Sequence, residues 1–462
     1  MNDNFHPNVT RRRFLQTGLT ALLAAGAFPN IVSASIFGRK KRPRPSNRIN
    51  VASIGMGPQG RHLLRLFLDQ PEAQMVAVCD VFDGHRERGR QLINERYKDN
   101  GCALYDDFRK LLERDDLDAV IIATPDHWHV PAAFAAVKAS KDVYVEKPLG
   151  LTLAEDQLLR KWVGKKKRVF QFGTQQRSND KFRQACELAR NGRLGKLQEI
   201  CVWAPASAAG GATAPISVPP GLNYDFWLGP SRQTPYTENK CFGEGIKKTW
   251  WFNRDYAVGF IAGWGIHPLD IAYWGHPQMM DGRISIEGQS AVPTEGACNT
   301  ATAWNIRFGF ANGVVMNFRS SDGDTSRPEM RNDLGDLRKR FGKICDSHGT
   351  VFVGSDGWVL IDREKILASS ESILKEKIGP DEINLPRSAN HAQNFLGAIK
   401  TRGQTICPIE EAVRSDSLAH LSDLAGRLDR RLCFDPATEK FLKDAEANRH
   451  LALRPMRKPW RL

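Results

Sequence analysis

The sequence is poor in the features that mark a metal protein or an integral membrane protein. Its nine cysteines, at 79, 102, 186, 201, 241, 298, 345, 407 and 433, lie far apart, with no CxxC pair and no Cys/His cluster of zinc-ligand spacing. That pattern argues against a structural metal, and no metal is expected. An odd count prevents pairing of every thiol within the chain, and buried free thiols are the simpler expectation. The apolar run at residues 19–28 is well short of the ~20 residues a bilayer span requires. Acidic residues are scarce at the N-terminus: residues 1–48 hold nine Lys/Arg against Asp3, a net +8 of the chain's +14. The remaining +6 is too weak to argue for nucleic acid, and no such partner is expected. The one later basic run, Lys165 to Arg168, reads as a solvated helix end.

What the N-terminus does contain is an address. Thr10-Arg11-Arg12-Arg13-Phe14-Leu15-Gln16 precedes the apolar run, and Val32-Ser33-Ala34 supplies small side chains for a signal peptidase. The pattern resembles a twin-arginine export signal, with Gln16 as the one departure from its usual lysine. Residues 1–34 are therefore expected to be a signal peptide read by the twin-arginine export machinery, and residues 35–48 an exposed linker. The mature protein is then periplasmic or otherwise extracytoplasmic, without a stable membrane span; an uncleaved N-terminal anchor is the alternative.

A chain of 462 residues with 41% hydrophobic side chains has material for two or more domains. Residues 49–54 form a short apolar stretch followed at once by Gly55-Met56-Gly57-Pro58-Gln59-Gly60 and an apolar helical segment. Strand, glycine turn and helix together put backbone N–H groups where a pyrophosphate must approach. A second strand, 75–79, ends in Asp80, twenty residues beyond Gly60, placed to accept hydrogen bonds from the ribose hydroxyls of NAD. NADP is the alternative, since Arg86 and Arg88 stand close enough in sequence to take its extra phosphate.

Further strands at 117–123 and 142–145, with a helix marked by Val130, Phe134 and Val137 between them, predict a parallel doubly wound sheet over residues 49–172. Ligands gather at the carboxyl ends of such strands, where Asp80, Thr124, Pro125, Glu146 and Lys147 fall. Residues 173–462 are expected to form a second, α+β domain. Alternating Trp304, Ile306, Phe308 and Phe310, an Asn312-Gly313 turn, and Met316 and Phe318 predict a hairpin. A second hairpin is expected across 351–361. Leu418, Leu421, Ala425 and Leu428 predict an amphipathic helix that ends the chain.

Thr124-Pro125-Asp126-His127-Trp128-His129 followed by Glu146-Lys147-Pro148 resembles the glucose-fructose oxidoreductase, inositol dehydrogenase and rhizopine-catabolism (Gfo/Idh/MocA) family. The similarity continues through Trp227 to Pro230, Gly263 to Asp270, Gly354 to Trp358 and Asp444 to Ala447, and looks closest to the exported bacterial subgroup. It implies a Rossmann domain, an open-faced and mainly antiparallel second sheet that pairs subunits into a homo-oligomer, tightly held NAD or NADP, and a sugar or polyol substrate.

Oxidising a secondary alcohol requires one group to take the hydroxyl proton and another to stabilise the oxyanion as hydride leaves. Lys147 and His267 match the family's active-site lysine and catalytic histidine. Pro268 favours the first helical position, so His267 is expected to cap the following helix, whose positive end would hold the ring neutral. The family's usual Asp four residues earlier is Gly263 here, so a relay through that carboxylate does not carry over. Asp270 either orients His267 or interacts with the helix dipole. His127 is expected at the cofactor, and His129, Gln176, Arg177 and Trp264 at the substrate. The leading expectation is an exported NAD(P)-dependent oxidoreductase. A redox-neutral NAD-dependent glycoside hydrolase and a non-catalytic sugar- or nucleotide-binding protein are the alternatives.

Overall fold

The computed structural model describes residues 47–242, 249–321 and 334–462. The expected signal peptide and nearly all of the linker lie outside the described residues. Within residues 49–172 the apolar runs become six short strands: β1 (Ile49–Ile54), β2 (Ala73–Cys79), β3 (Ala103–Tyr105), β4 (Ala119–Ile122), β5 (Asp142–Val145) and β6 (Phe170–Phe172). All pair in parallel, in the order β3-β2-β1-β4-β5-β6. β1, β4 and β5 are almost wholly apolar because helices cover both faces. Strand order reverses between β1 and β4, which opens a crevice at their carboxyl ends.

The remaining strands are β7 (Leu197–Ala204), β8 (Ile284–Ala291), β9 (Ala303–Gly309), β10 (Val315–Ser320), β11 (Gly349–Gly354), β12 (Trp358–Ile361), β13 (Ile366–Ala368), β14 (Leu432–Asp435) and β15 (Lys440–Phe441). They form one nine-stranded sheet in the order β13-β12-β11-β7-β10-β9-β8-β14-β15, antiparallel except for β7 with β10. Both expected hairpins are present, with Phe308 opposite Met316 and Val353 opposite Trp358. The first turn is one residue longer than expected: Gly313 N–H bonds to the Phe310 carbonyl, Phe310 N–H to the Val314 carbonyl, and Gly313 takes φ +86°. Alternation buries Trp304, Ile306, Phe308 and Phe318 beneath helices on one face. On the other, Glu287, Gln289, Asn305 and Arg307 are exposed.

Two expectations about helices need correction. Helix Ile409–Leu428 is buried around most of its circumference rather than along one stripe, because it is wedged between β8 and the Rossmann helix Leu153–Lys166. It therefore carries Asp416, His420 and Asp423 inward, and the chain continues past it through β14, β15 and helix Ala445–Leu451. Helix His391–Thr401 returns to the Rossmann sheet, where Phe395 meets Phe67 and Tyr144 edge-on.

Arg177 and Asp270, expected at the substrate and beside His267, instead pair with each other. Arg177 Nε and Nη2 donate to the Asp270 carboxylate at 2.8 and 2.7 Å, and Nη1 donates to Glu411 at 3.0 Å. Both members of the pair are buried. The fork pins the segment after β6 to helices Ile266–Gly275 and Ile409–Leu428, and leaves neither group for His267 or a ligand. Removing one partner strands a buried charge, so Asp270→Ala is expected to lower stability by about 3–5 kcal/mol. Urea unfolding checks this; a loss below about 1 kcal/mol would contradict the assignment.

Candidate active site

The three glycines after β1 do different work. Gly55 has φ +87°, and a Cβ there would lie 2.5 Å from the Ala123 carbonyl oxygen; at Gly60 it would lie 1.9 Å from the Gly55 oxygen. Close backbone packing requires both, with or without a ligand. Gly57 has φ −60°, and its Cβ position meets nothing within 4 Å. That open volume faces the start of helix Pro58–Leu68, which has no side-chain cap and no acid in its first turn. Unpartnered N–H groups at the positive end of an eleven-residue helix suit a pyrophosphate.

Asp80 closes the other side. Its carboxylate accepts from Met56 N–H at 2.6 Å and from Phe82 N–H at 2.9 Å, with His85 Nδ1 at 3.3 Å. Arg86 is tied to the Asp80 carbonyl and to Asp83, which removes it from the role of holding the extra phosphate of NADP. The donor set fits NAD.

A cleft of about 410 Å³ runs from Gly57 and Asp80 to Lys147 and Trp251. Gly55, Pro58, Gln59, Thr124, Pro125 and Glu146 line it, whereas Met56, Gly60, Gln176, Trp264 and His267 are not among its lining residues. Gln59 Nε2 donates to Glu146 Oε1 at 2.9 Å, joining the glycine turn to the end of β5. Phe82, Leu222, Phe226 and Phe242 also line the cleft. Sequence spacing missed them: Phe82 and Phe226 stand beside motifs, near Asp80 and Trp227, without forming part of them, and Leu222, Phe226 and Phe242 arrive from the second domain.

The paired histidines divide. His127 is fully buried and does not line the cleft. Its Nε2 lies 2.8 Å from the Trp227 carbonyl, which also accepts from Trp128 Nε1 at 3.0 Å. Burial, aided by Arg454, pushes its pKa down to about 3. It fastens the loop after β4 to the second domain. His129 does line the cleft; its ring nitrogens lie 2.6 Å from the Pro148 carbonyl and 3.0 Å from the Thr124 carbonyl, clamping the ends of β4 and β5 together.

Lys147 leaves the end of β5 and donates to the Gly263 carbonyl at 2.9 Å, with its ammonium 5.7 Å from the Trp251 ring centroid. A side chain at 263 would start 3.3 Å from Trp251 Nε1, a tight contact that a small shift of the indole would have to relieve. His267 is the second residue of helix Ile266–Gly275, with Gly265 at the cap, two positions later than expected. Pro268 is accommodated because the first four N–H groups of a helix have no partners. His267 is buried, its Nδ1 has no hydrogen-bond partner, and its pKa is held well below the usual range by burial, then by Lys147 and Arg363.

Trp264 packs edge-on to His267, centroids 5.6 Å apart, and carries the Arg363 guanidinium over its ring at 4.6 Å. In the orientation that satisfies both groups, the Gln176 amide donates to the His267 carbonyl at 3.1 Å and accepts from Arg363 Nε at 3.2 Å. His348 completes the cluster, 5.4 Å from Trp264. Neither Arg363 nor His348 carried any motif signal. A separate buried group, Asp156, Asp416 and His420, brings three ligand-type atoms within 4.8 Å. Burial disfavours His420 protonation, but the two carboxylates outweigh it and raise its pKa to about 10, while burial and then Asp416 push the Asp156 carboxyl up.

Two outcomes follow from this geometry. Gly57→Ala is expected to leave the unfolding temperature nearly unchanged while weakening NAD binding at least about tenfold, whereas Gly60→Ala lowers the unfolding temperature itself; equal loss of both properties in both variants would contradict the division. His127, His348 and His391, with folded pKa values near 3, 4 and 4, and His267 stay neutral where the unfolded chain takes up protons. Their stabilisation is complete above pH ~6.5 and is lost as pH falls towards 4, by about 1.4 kcal/mol per histidine per unit. Asp126, lifted by burial to about 8, Glu146 and Asp156, also raised by burial, and His420 act in the opposite sense, while His129, lowered by burial to about 4, adds to the larger group. Urea unfolding at pH 7 and 5 should show lower stability at 5; equal values would contradict the assignment.

The chain matches the oxidoreductase family with an NAD-binding Rossmann fold over residues 49–174, and that family's C-terminal α/β domain over residues 203–350 and 370–462. Among curated proteins it is 38% identical over 110 residues to a glycosyl hydrolase family 109 protein of Saccharopolyspora erythraea, covering 23% of this chain and 24% of that protein. It is 28% identical over 164 residues to an alpha-N-acetylgalactosaminidase of Shewanella oneidensis, covering 32% and 35%. The match thus spans about a third or less of these relatives' length. In fold it is similar to aldose-aldose oxidoreductase from Caulobacter crescentus, at TM-score 0.58 and 16% identity over 83% of this chain and 99% of that one. The same holds for GenD2 of gentamicin A biosynthesis in complex with NAD, at TM-score 0.58 and 15% identity over 85% and 97%. The chain belongs to the glucose-fructose oxidoreductase, inositol dehydrogenase and rhizopine-catabolism family of NAD-binding oxidoreductases.

Proposed function

We propose that this protein is an exported dehydrogenase that oxidises or reduces a secondary hydroxyl of a sugar, polyol or glycoside and retains its NAD between turnovers. The observation that carries this reading is the juxtaposition of Lys147 with a buried, neutral His267 whose Nδ1 has no partner. Bound NAD supplies the hydride acceptor. Lys147 directs one of its three ammonium protons to the Gly263 carbonyl, leaving two donors for the reacting oxygen. Because that anchor is a neutral carbonyl rather than a carboxylate, the ammonium keeps its full field. The same field disfavours a charged imidazole at His267, so the histidine remains a base able to accept the hydroxyl proton.

Residues 10–16 and 32–34 support export by the twin-arginine route, which carries folded proteins and so permits a cofactor loaded in the cytoplasm. Free nucleotide is scarce outside, and a retained cofactor reoxidised by a second substrate suits that setting. Pairing of subunits across the open face of the nine-stranded sheet belongs to the same reading.

A second reading is favoured by the curated relatives named as family 109 glycosyl hydrolases and alpha-N-acetylgalactosaminidase: oxidation is transient, the aglycone is eliminated, and the sugar is reduced again. The two are separated by incubating the NAD-loaded protein with sugars and aryl glycosides. Keto-sugar formation is expected; aglycone release without net NADH would transfer the assignment to the hydrolase. Retained cofactor with neither product would favour a binding protein. Lys147→Ala should lower turnover by about 100-fold or more while the cofactor still co-purifies; unchanged turnover would refute its role.

A further inference from the structure

Beside the proposed base, though not among the residues that line the cleft, stands a guanidinium that pairs with no carboxylate among the described residues. Arg363 sits in the turn between β12 and β13, next to Asp362 and Glu364. Asp362 Oδ1 is occupied by the N–H groups of Glu364 and Lys365. Several arginines of the second domain are forked onto acids, as Arg177 is onto Asp270, Arg254 onto Asp423 and Arg340 onto Glu199. Among the described residues Arg363 has no such partner. Its recorded contacts are the Trp264 face at 4.6 Å and, through Nε, the Gln176 amide oxygen at 3.2 Å. Arg363 is solvent-exposed, and the two contacts fix its plane while leaving Nη1 and Nη2 unengaged.

Its position is set by its neighbours. Gln176 also bonds the His267 carbonyl, and Trp264 touches both His267 and Arg363, so one side chain separates the guanidinium from the proposed catalytic base. Glu146, at the end of β5, is the carboxylate that acts on Arg363 electrostatically, and it is itself buried and bonded to Gln59. His348 Nε2 and His267 Nδ1 are buried without partners around the same indole. With both histidines uncharged, Lys147 and Arg363 leave the surroundings of His267 short of negative charge.

We propose that Arg363 is a specificity residue that binds a carboxylate on the sugar ring undergoing reaction, which makes the substrate a uronic acid or a uronide glycoside rather than a neutral sugar. The end of the guanidinium presents two parallel N–H groups, matched by the two oxygens of a carboxylate. A phosphate dianion beside Glu146 would exceed what a single arginine neutralises. Stacking on Trp264 and the Gln176 bond orient the fork in advance, which lowers the ordering entropy lost on binding. This inference rests on the sugar-oxidoreductase reading of the same site, but concerns recognition rather than chemistry.

The test uses the NAD-loaded full chain and calorimetric titration with D-glucuronate, D-galacturonate, phenyl β-D-glucuronide, their neutral counterparts and glucose 6-phosphate, alongside turnover of each. At least one uronate is expected to bind about 10- to 100-fold more tightly than its neutral counterpart. Arg363→Gln should collapse that ratio towards one, and Arg363→Lys, which keeps charge but not the fork, should recover only part of it. Where turnover is seen, the change should fall on KM more than kcat. A retained binding preference without turnover would uphold the assignment of Arg363 and count against the dehydrogenase reading. Neutral sugars bound as well as uronates, no binding of any uronate, tighter binding of glucose 6-phosphate, or a ratio unmoved by Arg363→Gln would each overturn the inference.

Discussion

The hydrogen bond from Lys147 to the Gly263 carbonyl joins the two halves of the molecule at the place where chemistry is proposed. Lys147 stands at the end of β5 in the Rossmann sheet, and Gly263 closes the short helix Phe260–Gly263 in the second domain. Holding an ammonium between two domains requires an acceptor, and a backbone carbonyl supplies one without neutralising the charge. That retained charge depresses the affinity of His267 for protons, on top of burial. Packing bears on position 263 as well, since a side chain there would begin in tight contact with Trp251 Nε1. Lysine, glycine, tryptophan and histidine form one constraint, and the acid–base character of the site depends on all four.

Buried ion pairs brace the structure around this bond, Arg454 with Glu155 across the two domains and the others within the second. Arg177 with Asp270, Arg254 with Asp423 and Arg454 with Glu155 each join segments far apart in sequence, with at least one member almost fully removed from water. Such pairs are weak sources of net stability but are intolerant of losing one partner. Their geometry restricts how helix Ile409–Leu428 can sit between the sheets. That helix shows why a periodic apolar stripe is an incomplete guide: with protein on most sides, Asp416, His420 and Asp423 face partners inside rather than solvent.

The Rossmann half was legible because its signals are local. A strand, a glycine turn, a helix and an acid twenty residues on are all read within one stretch of chain, and parallel strands buried on both faces announce themselves as apolar runs. Even there the glycines looked alike in sequence, whereas backbone contacts separate Gly55 and Gly60, required by packing, from Gly57, which leaves room for a ligand. In the second domain the hairpins at 303–320 and 349–361 were visible, because alternation and turns are also local. The strands β7, β8, β14 and β15 were not, since they are brought together by long-range pairing.

The residues alone determined that the first domain is an NAD-binding one, and nominated Gly55 to Gly60 and Asp80 to hold the nucleotide and one lysine and one histidine to meet it. The tertiary structure decided which neighbours those groups have. Asp270 pairs with Arg177 instead of His267, and His127 fastens a loop instead of touching the cleft. Arg363 and His348, silent in sequence, stand beside the proposed base. The reason is physical: a motif records the backbone geometry that one short segment can adopt by itself. A side chain's charge state and partners depend on burial and on groups delivered by distant segments, and those exist only once the two sheets have packed together.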